Sequence, residues 1–192
     1  KKFHHLGNYI LGFWLRDNLK LIDLKYSVSE PAADFAKKTH NFDSKILANP
    51  VDISIFSGKD KARDDIGLNI IFLGRLVPRK GCKEFLKAIF EIKAKKLIND
   101  NFKVHICGHG HQANILKNYV SNNNLSKNVV FHGFVSEEDK ISMLQKANIA
   151  VFPAIEGESF GIVLIESMAA RSCLVLAANN PGYKSVMGSI PE

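Results

Sequence analysis

The chain has 192 residues, which is enough for one complete domain and part of a second. Hydrophobic residues make up 46% of the sequence, and no apolar run reaches the roughly 18 residues that a spanning helix needs, so a membrane-spanning helix is excluded. The formal net charge of +7 favours an anionic partner, and nucleic acid, an acidic membrane surface and a phosphorylated small molecule all remain open.

Further sequence features restrict the possible partners and indicate the cellular compartment. The lysines of residues 79–103 punctuate a helical pattern and are expected to form a solvated helix face, so nucleic acid is not the expected partner. Cys82, Cys107 and Cys173 form no CxxC pair, and the last two, in or beside apolar strands, are expected to be buried, so a cytoplasmic protein is expected. The apolar stretch 9–15 and the basic charge leave peripheral contact with a membrane open. The start of the sequence lacks an initiator Met and a signal-peptide pattern, so an internal cut is expected there.

The first third of the sequence has mixed patterns. Its predicted elements are a helix over residues 3–20, a strand over 21–29, a short helix over 30–39 and a strand over 45–48. Residues 49–52 indicate a turn, and residues 53–66 are polar without a period and indicate a linker. We therefore predict that residues 1–48 are the remnant of another domain, that 49–68 are an interdomain linker, and that 69–192 form the main domain.

From Asn69 onward, short apolar runs alternate with amphipathic segments. The predicted strands cover residues 69–74, 102–108, 129–134, 149–152 and 174–178; the predicted helices cover 83–98, 115–120, a segment that begins at Ser136 with a capping-box pattern, and 161–170. Strands that are apolar on both faces and alternate with helices predict a parallel sheet covered on both sides. The predicted fold is α/β, a Rossmann-like doubly wound parallel sheet, which binds ligands beyond the carboxyl ends of its strands.

A cation-rich loop follows the first strand of this domain, in the segment Gly74-Arg-Leu-Val-Pro-Arg-Lys-Gly81. It places Arg75, Arg79 and Lys80 where the ligand is expected. A pyrophosphate needs several positive charges at short range, and arginine and lysine supply them. A loop that only adds solubility is an equally good interpretation of these residues alone.

The segment Gly108–Ala113 matches the dinucleotide fingerprint GxGxxA. It lies in the second strand–helix unit rather than the first, and the next strand ends at His132-Gly133-Phe134, without the acid that would hold a ribose. An NAD-dependent dehydrogenase is therefore a weaker interpretation than a tight turn that lines the pocket of another nucleotide. The histidines at 109, 111 and 132 lack partners with metal-ligand spacing, so no metal is expected.

Two glutamates in the segment 153–170 have unusual surroundings. Glu158 follows the fourth strand and precedes a helix whose first amides, at residues 160–162, favour an anion such as phosphate. Glu166 lies within an otherwise apolar helix, where an unpaired carboxylate is strongly unfavourable. It therefore needs a partner, which either ribose hydroxyls or a basic side chain would supply.

Taken together, these segments resemble family 4 glycosyltransferases, including those of the phosphatidyl-inositol mannosyltransferase type. The resemblance rests on five segments in the family's order: Asn49–Asp52 is similar to its NGVD turn, Gly74–Gly81 to its GRL…KG loop, Gly108–Gly110 to its GxG turn, His132–Val135 to its hG.v loop and Glu158–Glu166 to its EX7E motif. The resemblance implies a GT-B architecture of two Rossmann-like domains. The C-terminal domain would hold the sugar-nucleotide donor and the N-terminal domain most of the acceptor site.

The resemblance also implies residue roles. Arg75 and Lys80 would neutralise the donor diphosphate in place of a metal ion, so neither a metal nor a cofactor is expected. Glu158 would contact the donor sugar and act with these cations in catalysis. The implied donor-binding residues are Gly74, Gly108, Val135 (whose backbone would contact the base), Ser159, Phe160, Gly161, Ile162 and Glu166 (which would hold the ribose).

The reaction implied by the resemblance is a retaining, metal-independent transfer from a nucleotide-diphosphate sugar to an acceptor that is a lipid, a glycan or a small molecule. Because the sequence ends at Glu192, before the family's closing elements, we expect a donor-binding half that is inactive alone. The alternative is a non-catalytic nucleotide-binding or interaction module, since the fold alone does not separate the two.

Three positions depart from the family's pattern. Cys173 replaces a frequent Pro, Ser185 replaces a frequent Glu, and Arg171 stands where Gly is frequent. If Arg171 is left-handed, the arginine destabilises the fold by ~1 kcal/mol relative to glycine.

Overall fold

The computed structural model describes residues 18–56, 67–172 and 174–188. The chain divides into two compact units. Among the described residues, the smaller unit comprises 18–50, 158–161 and 181–188, and the other, the sheet unit, comprises 51–56, 67–157, 162–172 and 174–180. The predicted domain boundaries stay a prediction.

The helices and strands alternate through most of the chain. In chain order they are β1 (Tyr26–Ser27), α1 (Glu30–His40), β2 (Lys45–Ile46), β3 (Leu68–Leu73), α2 (Cys82–Ala94), β4 (Phe102–Cys107), α3 (Ala113–Asn122), β5 (Val129–Gly133), α4 (Glu137–Lys146), β6 (Ile149–Phe152), α5 (Ile162–Ala169), β7 (Leu174–Ala177) and α6 (Pro181–Met187). Short 3-10 helices cover Ile53–Phe56 and Pro78–Lys80. The five strands predicted after Asn69 are therefore confirmed to within one residue at each end.

In the sheet unit, the described strands form one five-stranded sheet in the order β5-β4-β3-β6-β7, and all neighbouring strands are parallel. The predicted doubly wound sheet is confirmed. The connections run in one direction from β3 to β5 and in the other from β6 to β7. The loops after β3 and β6 therefore flank the point where the strand order reverses, which is where such sheets bind ligands.

The main core lies on one face of this sheet. Phe72 of β3 and Ile106 of β4 pack in one cluster with Leu86 of α2 and Leu116 of α3, and all four are almost fully buried. Burial of each such side chain contributes about 1.5–3 kcal/mol. Strand alternation turns the buried Ile71 to the opposite face, so both faces of β3 are covered.

The smaller unit is built around α1. The Ser29 hydroxyl accepts a hydrogen bond from Ala32 N at 3.2 Å and caps the helix, which ends at the left-handed Asn41 (φ 55°). Strands β1 and β2 pair in parallel, with Tyr26 opposite Lys45. The unit also contains α6, which contacts α1.

Some predicted elements were wrong in extent. The predicted strand 21–29 reduces to β1, the predicted strand 45–48 reduces to β2, and residues 49–52 do not form the predicted turn. The helix predicted to reach residue 98 ends at Ala94, because Lys96 is left-handed (φ 52°) and Leu97 N donates back to Ile92 O at 3.0 Å, which closes the helix end.

The remaining differences concern the predicted linker and the first helix. Part of the linker, Ile53–Phe56, is a 3-10 helix; residues 57–66 and Cys173 lie outside the described residues. Of the helix predicted over residues 3–20, only 18–20 are described, and they are helical. Arg171 has a φ of 58°, so the condition under which the arginine is unfavourable relative to glycine is met.

Candidate functional site at the carboxyl edge of the sheet

The loop after β3 is bound to the loop after β4 through the backbone. Gly74 N donates to Cys107 O at 3.0 Å, and Leu76 N donates to His109 O at 2.8 Å. Each bond contributes about 1 kcal/mol net, and together they fix the path of the loop that carries the cations. The geometry of this loop is therefore set by the neighbouring strand.

Two glycines allow this close packing. Gly108 has a φ of 144°, and a Cβ placed on it would lie 1.9 Å from the carbonyl oxygen of Gly74. A Cβ on Gly110 would lie 2.3 Å from the carbonyl oxygen of Leu76. The glycines of the GxG segment thus accommodate a neighbouring protein loop, which favours the tight-turn interpretation over the dinucleotide fingerprint.

Arg79 ties the loop after β3 to the loop after β6. Its guanidinium Nη1 donates to Gly157 O at 2.8 Å, and its carbonyl accepts from Ile155 N, also at 2.8 Å. A Cβ on Gly81 (φ 72°) would lie 2.0 Å from Pro153 O, so these two loops also pack backbone against backbone. Of the three cations in the segment, Arg79 therefore has a structural role.

Arg75 and Lys80 lie on the loop after β3, whose backbone is bound to the neighbouring loops. Arg75 is exposed and directly follows Gly74 at the end of β3, and Lys80 ends the short 3-10 helix and is partly buried. A Cβ on Gly74 would lie 3.9 Å from Cδ of Lys80, so the stem of the lysine passes over the glycine. The predicted site residues Gly74, Arg75 and Lys80 therefore lie on one loop, at the point where the strand order reverses.

Glu166 pairs with a lysine that the sequence analysis missed. Lys140 Nζ lies 2.8 Å from Glu166 Oε1 and 2.7 Å from Glu137 Oε2, and the side chains of Lys140 and Glu166 are only 15% and 16% exposed. Burial opposes the charge on Lys140, but the hydrogen bonds to both glutamates outweigh it and raise its pKa. The ion-pair alternative for Glu166 is thus observed, and its ribose role stays a prediction.

The loop after β5 carries Val135 into the start of α4. The Ser136 hydroxyl accepts from Asp139 N at 3.1 Å and donates to the Asp139 carboxylate at 2.7 Å, which confirms the predicted helix cap. Lys140 lies one turn into this helix and orients Glu166 from there. Val135, Lys140 and Glu166 therefore belong to one connected part of the sheet unit.

The acidic segment Glu158–Gly161 belongs to the smaller unit. The hydroxyl of Ser29, which is only 3% exposed, donates to Ser159 O, and a Cβ on Gly182 would lie 2.2 Å from Glu158 O. The first residues of α1 and α6 therefore hold the segment. Sequence reasoning missed both contacts, because nothing in the local pattern relates Ser29 to a residue 130 positions away.

Four predicted site residues fall in this segment, namely Glu158, Ser159, Phe160 and Gly161. Glu158 is partly buried, and Phe160 is 9% exposed. Ile162, the next residue, begins α5 in the sheet unit. Their predicted contacts with the donor stay predictions.

Two cysteines are unsuited to nucleophilic chemistry. Burial raises the pKa of Cys82 to about 12, with a smaller contribution from Glu84, and burial raises the pKa of Cys107 to about 12. Both thiols therefore stay protonated at neutral pH. Cys107 is buried, as predicted.

The described ranges lack two features, a cluster of metal-binding side chains and a helix able to span a membrane. Residues 18–56, 67–172 and 174–188 contain no group of three or more His, Cys, Asp or Glu side chains placed to hold a metal ion. No helix within these ranges is long and apolar enough to cross a membrane.

Comparisons with known proteins agree with this architecture. The family model described as "Glycosyl transferases group 1" matches residues 58–189. The phosphatidyl-myo-inositol mannosyltransferase of Mycobacterium tuberculosis H37Rv is 31% identical over 168 residues, which cover 85% of this chain and 42% of that protein. The chain therefore spans less than half the length of the curated mannosyltransferases that it matches.

Solved structures share the fold. The Anabaena protein HepE, crystallised with UDP and glucose, has a TM-score of 0.78 at 16% identity, over all of this chain and 53% of that one. A glycosyltransferase from Rickettsia africae has a TM-score of 0.70 at 21% identity, over 85% of this chain and 46% of that one. With the family match over most of its length and the GT-B fold of these neighbours, the chain belongs to the glycosyl transferases group 1 family.

Proposed function

We propose that the chain carries the donor site of a retaining glycosyltransferase of family 4 and binds a nucleotide-diphosphate sugar. The observation that carries the proposal is the pair Arg75 and Lys80 on a loop whose backbone is fixed by neighbouring loops at the point where the strand order reverses. The family match supports it, as does the UDP named for HepE.

The cations would act on the leaving group. Negative charge grows on the diphosphate as the bond to the sugar breaks, and fixed positive charges stabilise that transition state without reorganising. The backbone bonds of Gly74 and Leu76 hold the loop in place before the donor arrives. In this proposal Arg75 and Lys80 do the work of a metal ion, and no cofactor takes part.

Other residues of the sheet unit would hold the nucleoside. Oε1 of Glu166 is bound to Lys140, and the other carboxylate oxygen would accept hydrogen bonds from the ribose. Backbone groups at Val135 would contact the base, and the amide of Ile162 would donate to a phosphate oxygen. Gly108 lets its loop pack against the carbonyl group of Gly74, and the two glycines lie together at this edge.

Glu158 would contact the hydroxyls of the donor sugar, and Ser159, Phe160 and Gly161 would complete the phosphate contacts, as the resemblance implies. The sugar would develop oxocarbenium character and be attacked from the face that the diphosphate leaves, which retains its configuration. A hexose is the proposed sugar. The acceptor, a lipid, a glycan or a small molecule, would bind mostly to a second domain.

Two further parts of the proposal concern the whole protein. The chain spans 42% of the M. tuberculosis mannosyltransferase, so we propose that it binds donor but transfers no sugar by itself. The enzyme would be cytoplasmic, with peripheral contact at the inner face of the membrane, as its basic charge suggests.

Isothermal titration with a panel of UDP-, GDP- and ADP-sugars tests donor binding. We expect one sugar nucleotide to bind with a Kd in the micromolar to millimolar range typical of enzyme substrates. If the folded protein binds none of them, the proposal is wrong.

Glu158→Gln in the complete enzyme separates a transferase from a module that only binds nucleotides. The change keeps the size of the side chain and removes its charge. A transferase loses most of its kcat while the Kd for the nucleoside diphosphate stays within about threefold (within 0.7 kcal/mol). Absence of any turnover in the complete wild-type enzyme across a set of acceptors would favour the binding module.

A further inference from the structure

Phe134 is an aromatic residue at the carboxyl edge of the sheet, and most of its side chain is exposed to solvent. Its side chain is 82% exposed, and no large hydrophobic residue in the described part of the chain is more exposed. It directly follows β5 and directly precedes Val135. Single exposed apolar residues are common on protein surfaces, so exposure alone does not indicate a site.

A second aromatic ring meets Phe134 from the neighbouring loop. The rings of His109 and Phe134 are 6.1 Å apart between centroids and inclined at 61°, an edge-to-face arrangement. Both backbones are fixed, since Gly108 N donates to Gly133 O at 2.6 Å and Leu76 N donates to His109 O at 2.8 Å. The pair is therefore a supported aromatic surface rather than a loose side chain.

Space is open beside this surface. A Cβ placed on Gly133 would have no atom within 4 Å, unlike a Cβ on Gly108 or Gly110. The left-handed Gly133 (φ 69°) turns the chain so that Phe134 leaves the sheet edge. A flat ligand ring would find an aromatic face there without displacing protein atoms.

The position of the pair along the edge identifies the ligand group. The strand order places the loop after β4 between that of Arg75 and that of Phe134, and neighbouring strands are about 4.8 Å apart, so the two outer loops start about 10 Å from each other. A ribose fills such a gap between a diphosphate and a base. The residue next to Phe134 also leads into α4, whose Lys140 holds Glu166.

We propose that Phe134, supported edge-on by His109, stacks on the nucleobase of the donor. The inference rests on the proposed function and adds to it the group that binds the base. Stacking on an aromatic face contributes to affinity for any base, because every base has a π-face. Phe134 would therefore raise affinity for the nucleotide, and hydrogen bonds to the backbone near Val135 would select which base it is.

The test compares ligands with and without a base. The first is whichever of UDP, GDP and ADP binds the wild-type protein most tightly, and the second is inorganic pyrophosphate. Phe134→Ala should weaken the nucleoside diphosphate about tenfold and leave pyrophosphate unchanged. Phe134→Tyr keeps the ring and should bind both ligands as the wild type does.

Phe90→Ala is the matched control, since Phe90 is an exposed phenylalanine on α2 that lies outside these loops. It should bind both ligands as the wild type does. Circular dichroism confirms that each variant is folded before titration. Unchanged nucleotide affinity in Phe134→Ala, or an equal loss for pyrophosphate, overturns the inference and leaves the proposed function standing. A wild-type protein that binds no sugar nucleotide overturns both.

Discussion

The cation loop Gly74–Gly81 and the acidic segment Glu158–Gly161 are held in different ways. The cation loop is bound by backbone hydrogen bonds to loops of the same sheet, and glycines allow the close approach. The acidic segment is bound by the hydroxyl of Ser29, 130 positions away in the sequence, and packs on Gly182 of α6. Neighbouring loops of one sheet thus fix the cation loop, whereas the N-terminal ends of two helices outside that sheet fix the acidic segment.

The largest effect is expected where the cation loop packs on Gly108. Gly108→Ala places a Cβ 1.9 Å from Gly74 O at a φ of 144°, so the two loops must separate. We expect the free energy of unfolding to fall by about 3 kcal/mol in urea denaturation.

Gly133→Ala is the matched control, because Gly133 is also left-handed but its Cβ would meet nothing within 4 Å. It should lose only about 1 kcal/mol, the backbone contribution alone. Equal losses in the two variants would mean that loop packing does not fix the cation loop.

The acidic segment depends on Ser29. Ser29→Ala removes the cap of α1 and the hydrogen bond to Ser159. We expect the free energy of unfolding to fall by about 2 kcal/mol, because the cap and the hydrogen bond each contribute part of it. Hydrogen exchange of the amides of residues 158–161 should accelerate in the variant.

Ser136→Ala is the control for this change, since Ser136 caps α4 and bonds only within its own first turn. It should lose about 1 kcal/mol and leave exchange in residues 158–161 unchanged. If Ser29→Ala behaves in the same way as Ser136→Ala, the long-range contact does not hold the segment.

The left-handed backbone of Arg171 is expected to destabilise the fold through the conformation of that residue alone. Its φ of 58° favours glycine, so Arg171→Gly should raise the free energy of unfolding by about 1 kcal/mol, measured as an increase in Tm. An unchanged or lower Tm would show that contacts of the arginine side chain outweigh the backbone strain.

The smallest effect is expected from a contact between strands. His105 Nδ1 lies 2.9 Å from His132 Nε2, and burial, then His132 and Lys103, lower the pKa of His105 below its usual 6.5. The unfolded chain therefore takes up a proton that the folded chain resists. Stability should be complete above about pH 6.5 and fall as the pH decreases below it, until the folded pKa is reached.

Thermal unfolding at pH 7.5 and 5.5 measures this dependence. His105→Asn removes the titrating group and should reduce the difference between the two Tm values. A variant with the same pH dependence as the wild type would assign the effect to other groups.

Features that depend on neighbouring residues could be predicted from the sequence, whereas contacts between distant residues could not. Periodicity located the five strands of the sheet, and the capping-box pattern located the Ser136 cap, because these features depend on neighbouring residues. The helix end at Ala94 was missed because no glycine or proline marks it, and a lysine adopts the left-handed conformation instead.

The candidate site divides in the same way. The cation loop was recognisable from Gly74, Gly81 and the cations between them. The Lys140–Glu166 pair joins residues 26 positions apart, and only the need for some partner could be inferred. The contacts of Ser29 with the acidic segment carried no sequence signal, since they form only when distant elements pack.

Titration with nucleotides tests whether Arg75 and Lys80 of the cation loop bind the diphosphate of the donor. The wild-type protein and the variant Arg75→Ala/Lys80→Ala are titrated with a nucleoside diphosphate and with the matching nucleoside, and Lys87→Ala on α2 serves as a cation control. We expect the double variant to bind the diphosphate at least tenfold more weakly (about 1.4 kcal/mol) and the nucleoside as the wild type does, and Lys87→Ala to bind both normally. Equal diphosphate affinity in the wild type and the double variant would contradict this expectation.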